Sequence, residues 1–329
     1  MALIEIKNLS ISLKTENGKI PICKNLDFSV NEGEIVGLIG TSGSGKSLVC
    51  KAIAGIHSRN LEISFDRYRF DNIDITGKTL HQRRQFLSER VAIMLQNGTR
   101  SLDPLITVRE QMLENLPNTA RPKKIWKRLF WKKREIDILL HKVGFKDTEA
   151  ILNAYPHELS EAQCQKVNIA MALGRKPRLL IADDPISSMN ALSQLQILRL
   201  IDGLNQNNHL SVVYVSNDLG SIARLLDRIN MFYFGQIVEQ GPTAQILKTP
   251  HHPFTKIMLD AIPDTGSASR QKSFFKVPGG DHPDFQHPPV GCPLGNRCPC
   301  ADRECNVRPP ITRIKNGFFC CHYPLNKNK

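Results

Sequence analysis

Short apolar runs alternate with longer helical stretches along most of the chain. The runs are EIVGLIG, RVAIML, RLLIAD, SVVYVS and INMFYF, each bounded by turn or charged residues. Between them lie stretches such as ALSQLQILRLIDGLNQ, in which apolar residues recur with the period of an amphipathic helix. Short unbroken apolar runs are typical of strands that are buried on both faces. The pattern therefore predicts an α/β fold with a mostly parallel sheet.

Three other regions depart from this alternation. The N-terminal MALIEIKNLSISLK alternates apolar and polar residues, which predicts strands of an antiparallel β subdomain. The long stretch between VAIML and LLIADD has no convincing strand, which suggests a helical insertion over about residues 98–165. A segment rich in Pro, Gly, Ser and His follows residue 260. We predict a main domain over residues 1–260, a linker over 261–290 and a cysteine-rich extension over 291–329.

Composition sets the class of protein. With 329 residues and 41% hydrophobic residues, the chain can bury a substantial core. No apolar segment is long enough to cross a membrane, and the N-terminus lacks the basic start and apolar block of a signal peptide, so a cytoplasmic protein is expected. The net charge of +13 fits nucleic acid, an anionic membrane surface or phosphate ligands, and charge alone does not choose among them.

A glycine-rich loop follows the first apolar run and leads directly into a predicted helix. Gly40, Gly45, Lys46 and Ser47 match the pattern G-x-x-x-x-G-K-[ST]. Glycines let backbone N–H groups fold around phosphate oxygens, the helix directs its positive end at them, the lysine neutralises phosphate charge and the serine hydroxyl binds Mg²⁺. The residues predicted to bind ATP are Gly40, Thr41, Ser42, Gly43, Ser44, Gly45, Lys46, Ser47 and Leu48.

Two adjacent carboxylates, Asp183 and Asp184, end another apolar run, in LLIADDPISS. A phosphate-binding loop of this kind works with an acid at the end of a second strand, which holds Mg²⁺ through water. Aspartate is also common at strand ends as a turn or helix-cap residue. Its combination with the glycine-rich loop favours Asp183 as the Mg²⁺ ligand.

Further segments extend the match to a known family. They are MLQN, with Gln96; the predicted helix ELSEAQCQKVNIAMAL, which opens with Leu159, Ser160 and Gln163; and YVSNDL, with Asn217. In their order and spacing, the first 260 residues resemble the ATP-binding subunits of ABC transporters. After residue 240, with HHPFTKIMLDAIP, the chain resembles the oligopeptide and dipeptide permease ATPases, including those associated with antimicrobial-peptide resistance.

The resemblance implies a peptide transport subunit that uses ATP and Mg²⁺. Two such subunits close head to tail over two ATP molecules, so that Ser160 and Gln163 of one chain face the nucleotide on the other, while Gln96 senses Mg²⁺ and the attacking water. Closure drives two transmembrane permease subunits between inward-facing and outward-facing states, with a periplasmic binding protein as an indirect partner. The implied location is the cytoplasmic face of a bacterial inner membrane.

Several positions depart from an active member of this family. Asp184 replaces a glutamate that orients the attacking water, and its carboxylate reaches about 1.5 Å less far; positioning errors near 1 Å can cost about 100-fold in rate. Asn217 replaces a histidine and cannot relay a proton. Glu161 and Ala162 replace two glycines, and the Glu161 carboxylate is expected to weaken γ-phosphate binding unless it turns away.

These departures predict a chain that binds MgATP but hydrolyses it slowly, within an asymmetric heterodimer with a second ATPase subunit. The alternative is that Asp184 and Asn217 are tolerated substitutions with ordinary activity.

The sequence also lacks the aromatic residue that the resembled family often uses to contact the adenine base. The family often stacks the base on an aromatic residue before the second strand, but KTENGKIPIC has none, which leaves Lys19 and Ile20 as candidates.

Six of the nine cysteines lie within the last 40 residues, in GCPLGNRCPCADREC and CCHYP. In a reducing cytosol such a cluster is more often a metal site than a set of disulfides. The resemblance implies that four of them hold a [4Fe–4S] cluster: Cys292, Cys298, Cys305 and Cys321. Their separations are wider than those of most zinc ribbons. Cys300 and Cys320 are additional, and zinc or buried free cysteines remain alternatives.

The basic segment RPKKIWKRLFWKKRE, residues 121–135, interleaves Lys and Arg with Trp126, Phe130 and Trp131. It is either a solvated helix face or a surface for anionic membrane headgroups, and the resemblance favours the inner membrane, with no nucleic acid expected. A competing hypothesis is a soluble ABC-type ATPase that acts on nucleic acid or in translation. A third is a regulatory or structural partner that only binds ATP.

Overall fold

The computed structural model describes residues 1–16, 18–117, 125–262, 279 and 283–326, and residues 125–130 by their backbone alone. Most of the predicted linker over 261–290 and residues 121–124 of the basic segment lie outside the described residues. The side chains of Trp126 and Phe130, for which the sequence predicts surface contacts, are likewise outside the described part of the structure.

The helices and strands of the described residues are given in chain order. The strands are β1 (Ala2–Thr15), β2 (Gly18–Asn31), β3 (Ile35–Ile39), β4 (Leu61–Ser64), β5 (Arg67–Phe70), β6 (Ile73–Asp74), β7 (Val91–Met94), β8 (Leu179–Asp183), β9 (Ser211–Ser216), β10 (Arg228–Tyr233), β11 (Gln236–Pro242), β12 (Ile311–Ile314) and β13 (Gly317–Cys320). The α-helices are α1 (Lys46–Ile53), α2 (Leu80–Ser88), α3 (Val108–Asn115), α4 (Ile125–Lys142), α5 (Thr148–Asn153), α6 (Glu161–Leu173), α7 (Ala191–Asn208), α8 (Thr243–Lys248) and α9 (Pro253–Asp260).

The chain forms two compact units. The first contains Met1–Gly77 and Tyr214–Lys329, and the second contains Lys78–Val213. In the first unit, β1 pairs antiparallel with β2, β4 and β5, which makes the predicted antiparallel subdomain. The first unit also holds strands in the order β12-β13-β11-β10-β3, of which β10 and β3 are parallel and the other neighbours antiparallel.

Burial explains why the apolar runs are continuous. All five residues of β3 are buried, as are all but the first residue of β10. An ion pair between Arg228, the first residue of β10, and Glu34, the residue before β3, joins the starts of these two strands, with Nε and Oε1 2.7 Å apart. A strand that is buried on both faces has apolar residues on both, so its sequence does not alternate between apolar and polar residues. The long strand β1 instead alternates buried residues such as Ile4 and Ile6 with more exposed ones, as its sequence predicts.

In the second unit, β7 and β8 pair in parallel, with Val91 opposite Leu179. All five residues of β8 are buried. The elements between β7 and β8 in the described residues are helices. Several of these helices begin at a side-chain cap: Thr107 caps α3, Asp147 caps α5 and Ser160 caps α6.

The predicted fold class is confirmed, because the apolar runs form parallel strands among helices and an antiparallel subdomain is present. The β12–β13 hairpin was not predicted. Within the described residues, no helix combines the length and apolar character that a membrane span requires.

Candidate functional site

The glycine-rich loop connects β3 to α1 in the first unit. Gly43 and Gly45 have φ angles of 73° and 103°, which residues with a Cβ rarely adopt. Gly40 is required for a different reason, since a Cβ there would lie 1.8 Å from the carbonyl oxygen of Phe232 on β10. Backbone geometry thus accounts for each glycine of the predicted loop.

The Lys46 ammonium lies inside this loop, and the residue is only 7% exposed. Its Nζ donates to the carbonyl oxygens of Gly40 at 2.8 Å and Thr41 at 2.6 Å, and to Oδ1 of Asn217 at 2.7 Å. A buried cation needs such acceptors. A phosphate bound at the N-terminus of α1 would give the same Nζ a charged acceptor in place of these neutral oxygens.

Asn217 follows the last residue of β9 and is exposed to solvent. The preceding residue, Ser216, accepts a hydrogen bond from the Gly40 N–H at 3.3 Å. The first unit therefore brings Asn217, which stands where the resembled family has a histidine, into direct contact with the lysine of the loop. An amide side chain at this place donates and accepts hydrogen bonds but does not titrate.

In the second unit, the two acids differ in conformation as well as position. Asp183 is the last residue of β8 and is 7% exposed. Asp184 has a φ of 49°, in the left-handed region, where aspartate is one of the more tolerant residues. Its Oδ2 accepts from the Gln96 Nε2 at 3.3 Å, and the same Nε2 donates to the Ser187 hydroxyl at 3.2 Å. The second unit thus joins Asp184 and Gln96, two of the predicted catalytic residues.

Ser160 and Gln163 form the cap of α6. The Ser160 hydroxyl accepts from the Gln163 N–H at 3.3 Å, while the Gln163 Oε1 accepts from both the N–H and the hydroxyl of Ser160 at 2.9 Å. This reciprocal pair is a capping box. Ser160 is exposed at the helix N-terminus, where the helix dipole favours an anion.

Glu161 has partners that its sequence position did not reveal. Its carboxylate accepts from the Gly98 N–H and from the Thr99 hydroxyl, both at 2.5 Å. Both partners follow Gln96 in the chain and lie more than 60 residues from Glu161. The carboxylate is therefore turned toward residues 96–99 of its own unit. A carboxylate turned in this way need not repel a phosphate.

The C-terminal cysteines lie close enough to influence one another electrostatically. Burial, together with repulsion from Cys300, Cys292 and Cys305, raises the pKa of the Cys298 thiol to about 11, against a hydrogen bond with the Cys300 backbone that lowers it. Burial likewise raises the pKa of Cys321 to about 12, with added repulsion from Cys298, Cys292 and Cys305. Within the described residues, no three His, Cys, Asp or Glu side chains are arranged to hold one metal ion.

The sequence matches known families along most of its length. Residues 23–187 match the family model described as ABC transporter, and residues 238–305 match the model described as oligopeptide/dipeptide transporter, C-terminal region. The chain is 42% identical over 329 residues to the peptide transport system ATP-binding protein SapD of Salmonella typhimurium, covering 100% of both. It is 33% identical to the dipeptide transport ATP-binding protein DppD of Escherichia coli, covering 99% of this chain and 98% of that one.

Solved structures share the fold. The ATP-binding cassette MJ0796, in a dimeric post-hydrolysis state bound to ADP and Pi, superposes with a TM-score of 0.62 at 24% identity, covering 73% of this chain and 98% of that chain. CbiO1 from Clostridium perfringens, part of the ABC transporter complex cbiONQ, gives a TM-score of 0.63 at 20% identity, covering 74% and 90%. At these identities the likeness establishes the fold.

Proposed function

Because this chain belongs to the ABC transporter family of ATP-binding proteins, we propose that it is the ATP-binding subunit of a membrane peptide transporter. Its C-terminal region matches that of oligopeptide and dipeptide transporters, and its relatives are named peptide and dipeptide transport ATP-binding proteins. The substrate class we propose is antimicrobial peptides, whose transport would serve as a means of resistance. The subunit would act at the cytoplasmic face of the inner membrane.

The observation that carries the proposal is the loop around Lys46. A buried ammonium that donates to the carbonyl oxygens of Gly40 and Thr41 and to the Asn217 amide oxygen, at the N-terminus of α1 and within a glycine-rich loop that offers backbone N–H groups, is suited to an anionic phosphate. The conformations of Gly43 and Gly45 keep those N–H groups free of Cβ atoms. These features support a triphosphate as the ligand.

The donor set for Mg²⁺ consists of hard oxygen ligands, which this ion prefers. The residues that would hold the ion are Ser47 through its hydroxyl, Asp183 through its carboxylate and Gln96 through its amide oxygen. When bound, Mg²⁺ neutralises charge that develops on the phosphates.

We further propose that this subunit hydrolyses ATP slowly and works beside a second, more active ATPase subunit. Asp184 has the shorter arm and already accepts a hydrogen bond from Gln96. Asn217 accepts from Lys46 as an amide that does not change its protonation state. The expected partners are that second ATPase and two transmembrane permease subunits, with a periplasmic binding protein acting indirectly and the anionic membrane surface near the basic segment.

A [4Fe–4S] cluster in the extension is also proposed, on Cys292, Cys298, Cys305 and Cys321. Cys292 and Cys305 lie near enough to influence both Cys298 and Cys321, which supports the set, and thiolates are the ligands such clusters use. Because Cys298 and Cys321 are protonated at neutral pH without a metal, binding would release protons. Anaerobic purification followed by iron and sulfide analysis tests the cluster. Cys321→Ser should lose iron and Cys23→Ser should keep it; zinc without iron in the parent protein would contradict the cluster.

Two measurements test the transport proposal. Co-expression with the two permeases and the second ATPase should give a membrane complex that contains this chain. In that complex, Lys46→Ala should weaken MgATP binding at this subunit by at least about tenfold, since a charge-assisted contact is lost. Lys14→Ala, a change on β1 in the antiparallel subdomain, is the matched control. Failure to co-purify, or equal binding by both variants, would contradict the proposal.

A further inference from the structure

An open cleft lies beside β2 in the first unit, close to the segment where no aromatic residue is available for adenine. In that segment the Lys19 ammonium pairs with Glu62 at 2.7 Å. The cleft contains about 440 Å³ of empty space, part of it continuous with solvent. Its walls come from β2, from the β10–β11 turn, from the end of the predicted linker and from the C-terminal extension, and include Pro21, Ile22, Phe234, Phe285, Pro293 and Arg308.

The cleft adjoins the phosphate-binding loop directly. A Cβ at Gly45 would lie 3.1 Å from the Ile22 Cγ2, so this wall residue contacts the end of the loop. On the other side, the Gly235 N–H donates to the Ser44 carbonyl oxygen at 3.0 Å. Phe234 lines this cleft and also a neighbouring one formed with residues 41–44 of the loop. A ligand held by its phosphates in the loop therefore has the cleft within reach of its other end.

The cleft has an aromatic wall that the β1–β2 segment lacks. The rings of Phe234 and Phe285 stack with centroids 4.3 Å apart and an interplanar angle of 8°. Both residues are half-buried, so ring surface remains exposed to the cleft. Phe234 is fixed in place because a Cβ at the next residue, Gly235, would lie 1.8 Å from the Ile22 carbonyl oxygen. The wall is thus positioned by backbone packing.

Phe285 lies at the end of the predicted linker, and the extension that follows it contacts the end of β10. Arg297 donates from Nη1 to the Tyr233 hydroxyl at 2.9 Å, one residue before Phe234. The cleft also contains polar groups, the guanidinium of Arg308 and the amide of Gln236. A flat aromatic ring with hydrogen-bonding nitrogens at its edge matches both the apolar wall and these polar groups.

We propose that this cleft binds the adenine base of ATP, and that Phe285, at the end of the predicted linker and just before the C-terminal extension, supplies the aromatic face. The inference rests on the proposed ATP binding, and it goes further by making the cysteine-rich extension part of the nucleotide site. It gives the extension a direct function, because changes in its fold would alter ATP affinity. Base–aromatic stacking is sequence-tolerant and strong enough to carry such an effect.

The test separates the base from the phosphates. Binding of ATP and of inorganic tripolyphosphate, each with Mg²⁺, is measured on the full chain in its complex. Phe285→Ala should weaken ATP binding by about tenfold and leave tripolyphosphate binding within twofold. Phe285→Trp should retain ATP binding. Phe318→Ala, which removes a half-buried aromatic of the C-terminal extension outside the cleft, is the matched control and should behave as the parent.

Equal weakening of both ligands by Phe285→Ala, or no weakening of ATP, would overturn the inference while leaving ATP binding by the parent intact. A parent chain that binds neither ligand would overturn the proposed function and this inference together. Photolabelling of the parent with 8-azido-ATP needs no variant. Labelled peptides should contain residues 234–236 or 283–293, and labels confined to residues 14–20 would contradict the cleft.

Discussion

At the scale of single residues, the phosphate loop depends on close backbone contact. Gly40 faces the Phe232 carbonyl so closely that any Cβ must displace either the loop or β10. Asp184 carries a different constraint, a left-handed φ of 49°, which most residues adopt only at a cost. Gly40 therefore meets a steric requirement of the backbone, and Asp184 adopts an uncommon conformation, each next to the chemistry proposed for it.

Gly40→Ala is expected to destabilise the protein by at least about 2 kcal/mol, because the new Cβ overlaps backbone atoms that no rotamer change can move. It should also weaken MgATP binding, since the loop must shift. Urea denaturation and nucleotide titration measure the two effects. Gly77→Ala is the control, because a Cβ at that position has no atom within 4 Å. Equal stability of the two variants would show that the loop adapts freely.

At the scale of elements, Glu161 joins the start of α6 to the segment that follows β7. Its two short hydrogen bonds reach Gly98 and Thr99. Asn168, two turns further along α6, also donates to the Gly98 carbonyl oxygen at 2.9 Å. A glycine at position 161 would provide neither of the carboxylate contacts, so the two segments depend on this chain's departure from the family pattern.

Glu161→Gly should therefore loosen the Gly98–Thr99 segment. Hydrogen bonds to a charged group contribute about 1.5–3 kcal/mol, so amide exchange at residues 98 and 99 should accelerate by at least about tenfold. Hydrogen exchange of the parent and variant measures this. Glu89→Gly removes a carboxylate from an exposed ion pair and is the control. Unchanged protection in Glu161→Gly would mean that Asn168 alone holds the segment.

The start of α9 gives a prediction about pH. His252 is buried, and its Nδ1 accepts from the Phe254 N–H at 3.0 Å, which requires a neutral ring. Burial lowers the pKa of His252 from 6.5 to about 3. Below about pH 6.5 the unfolded chain takes up a proton that the folded chain refuses, so the contribution to stability falls as pH falls toward 3.

His252→Asn should reduce this pH dependence, because asparagine can accept the same cap hydrogen bond without titrating. Between pH 7.5 and 5 the parent should lose about 2 kcal/mol more than the variant. Urea midpoints at the two pH values measure the difference. Parallel losses in parent and variant would assign the pH dependence to other groups.

At the scale of the whole molecule, the residues predicted for the nucleotide site belong to two different compact units. The phosphate loop and Asn217 belong to the first, whereas Gln96, Ser160, Asp183 and Asp184 belong to the second. Among the residues proposed for the site, Lys46 contacts Asn217 and Gln96 contacts Asp184, each within its own unit. The extension joins the first unit through β13 on β11.

The sequence predicts those features that local chemistry determines. The loop glycines and the buried strands are visible because a left-handed turn or a doubly buried strand restricts the residues at each position. The Glu161 contacts are not visible, because the partners lie more than 60 residues away. Phe285 was also missed as a wall of the cleft, since its stack with Phe234 joins segments about 50 residues apart. The hairpin of β12 and β13 was missed because its strands are short and mostly exposed.

The most direct test of the account is the ATPase rate of the double variant Asp184→Glu plus Asn217→His in complex with the second ATPase and the permeases. The account predicts a rate several-fold above the parent complex, because the longer carboxylate and the titratable ring restore groups that position and relay protons. An Asn217→Gln control should not raise the rate. A double variant no faster than the parent would contradict weakened hydrolysis at this subunit.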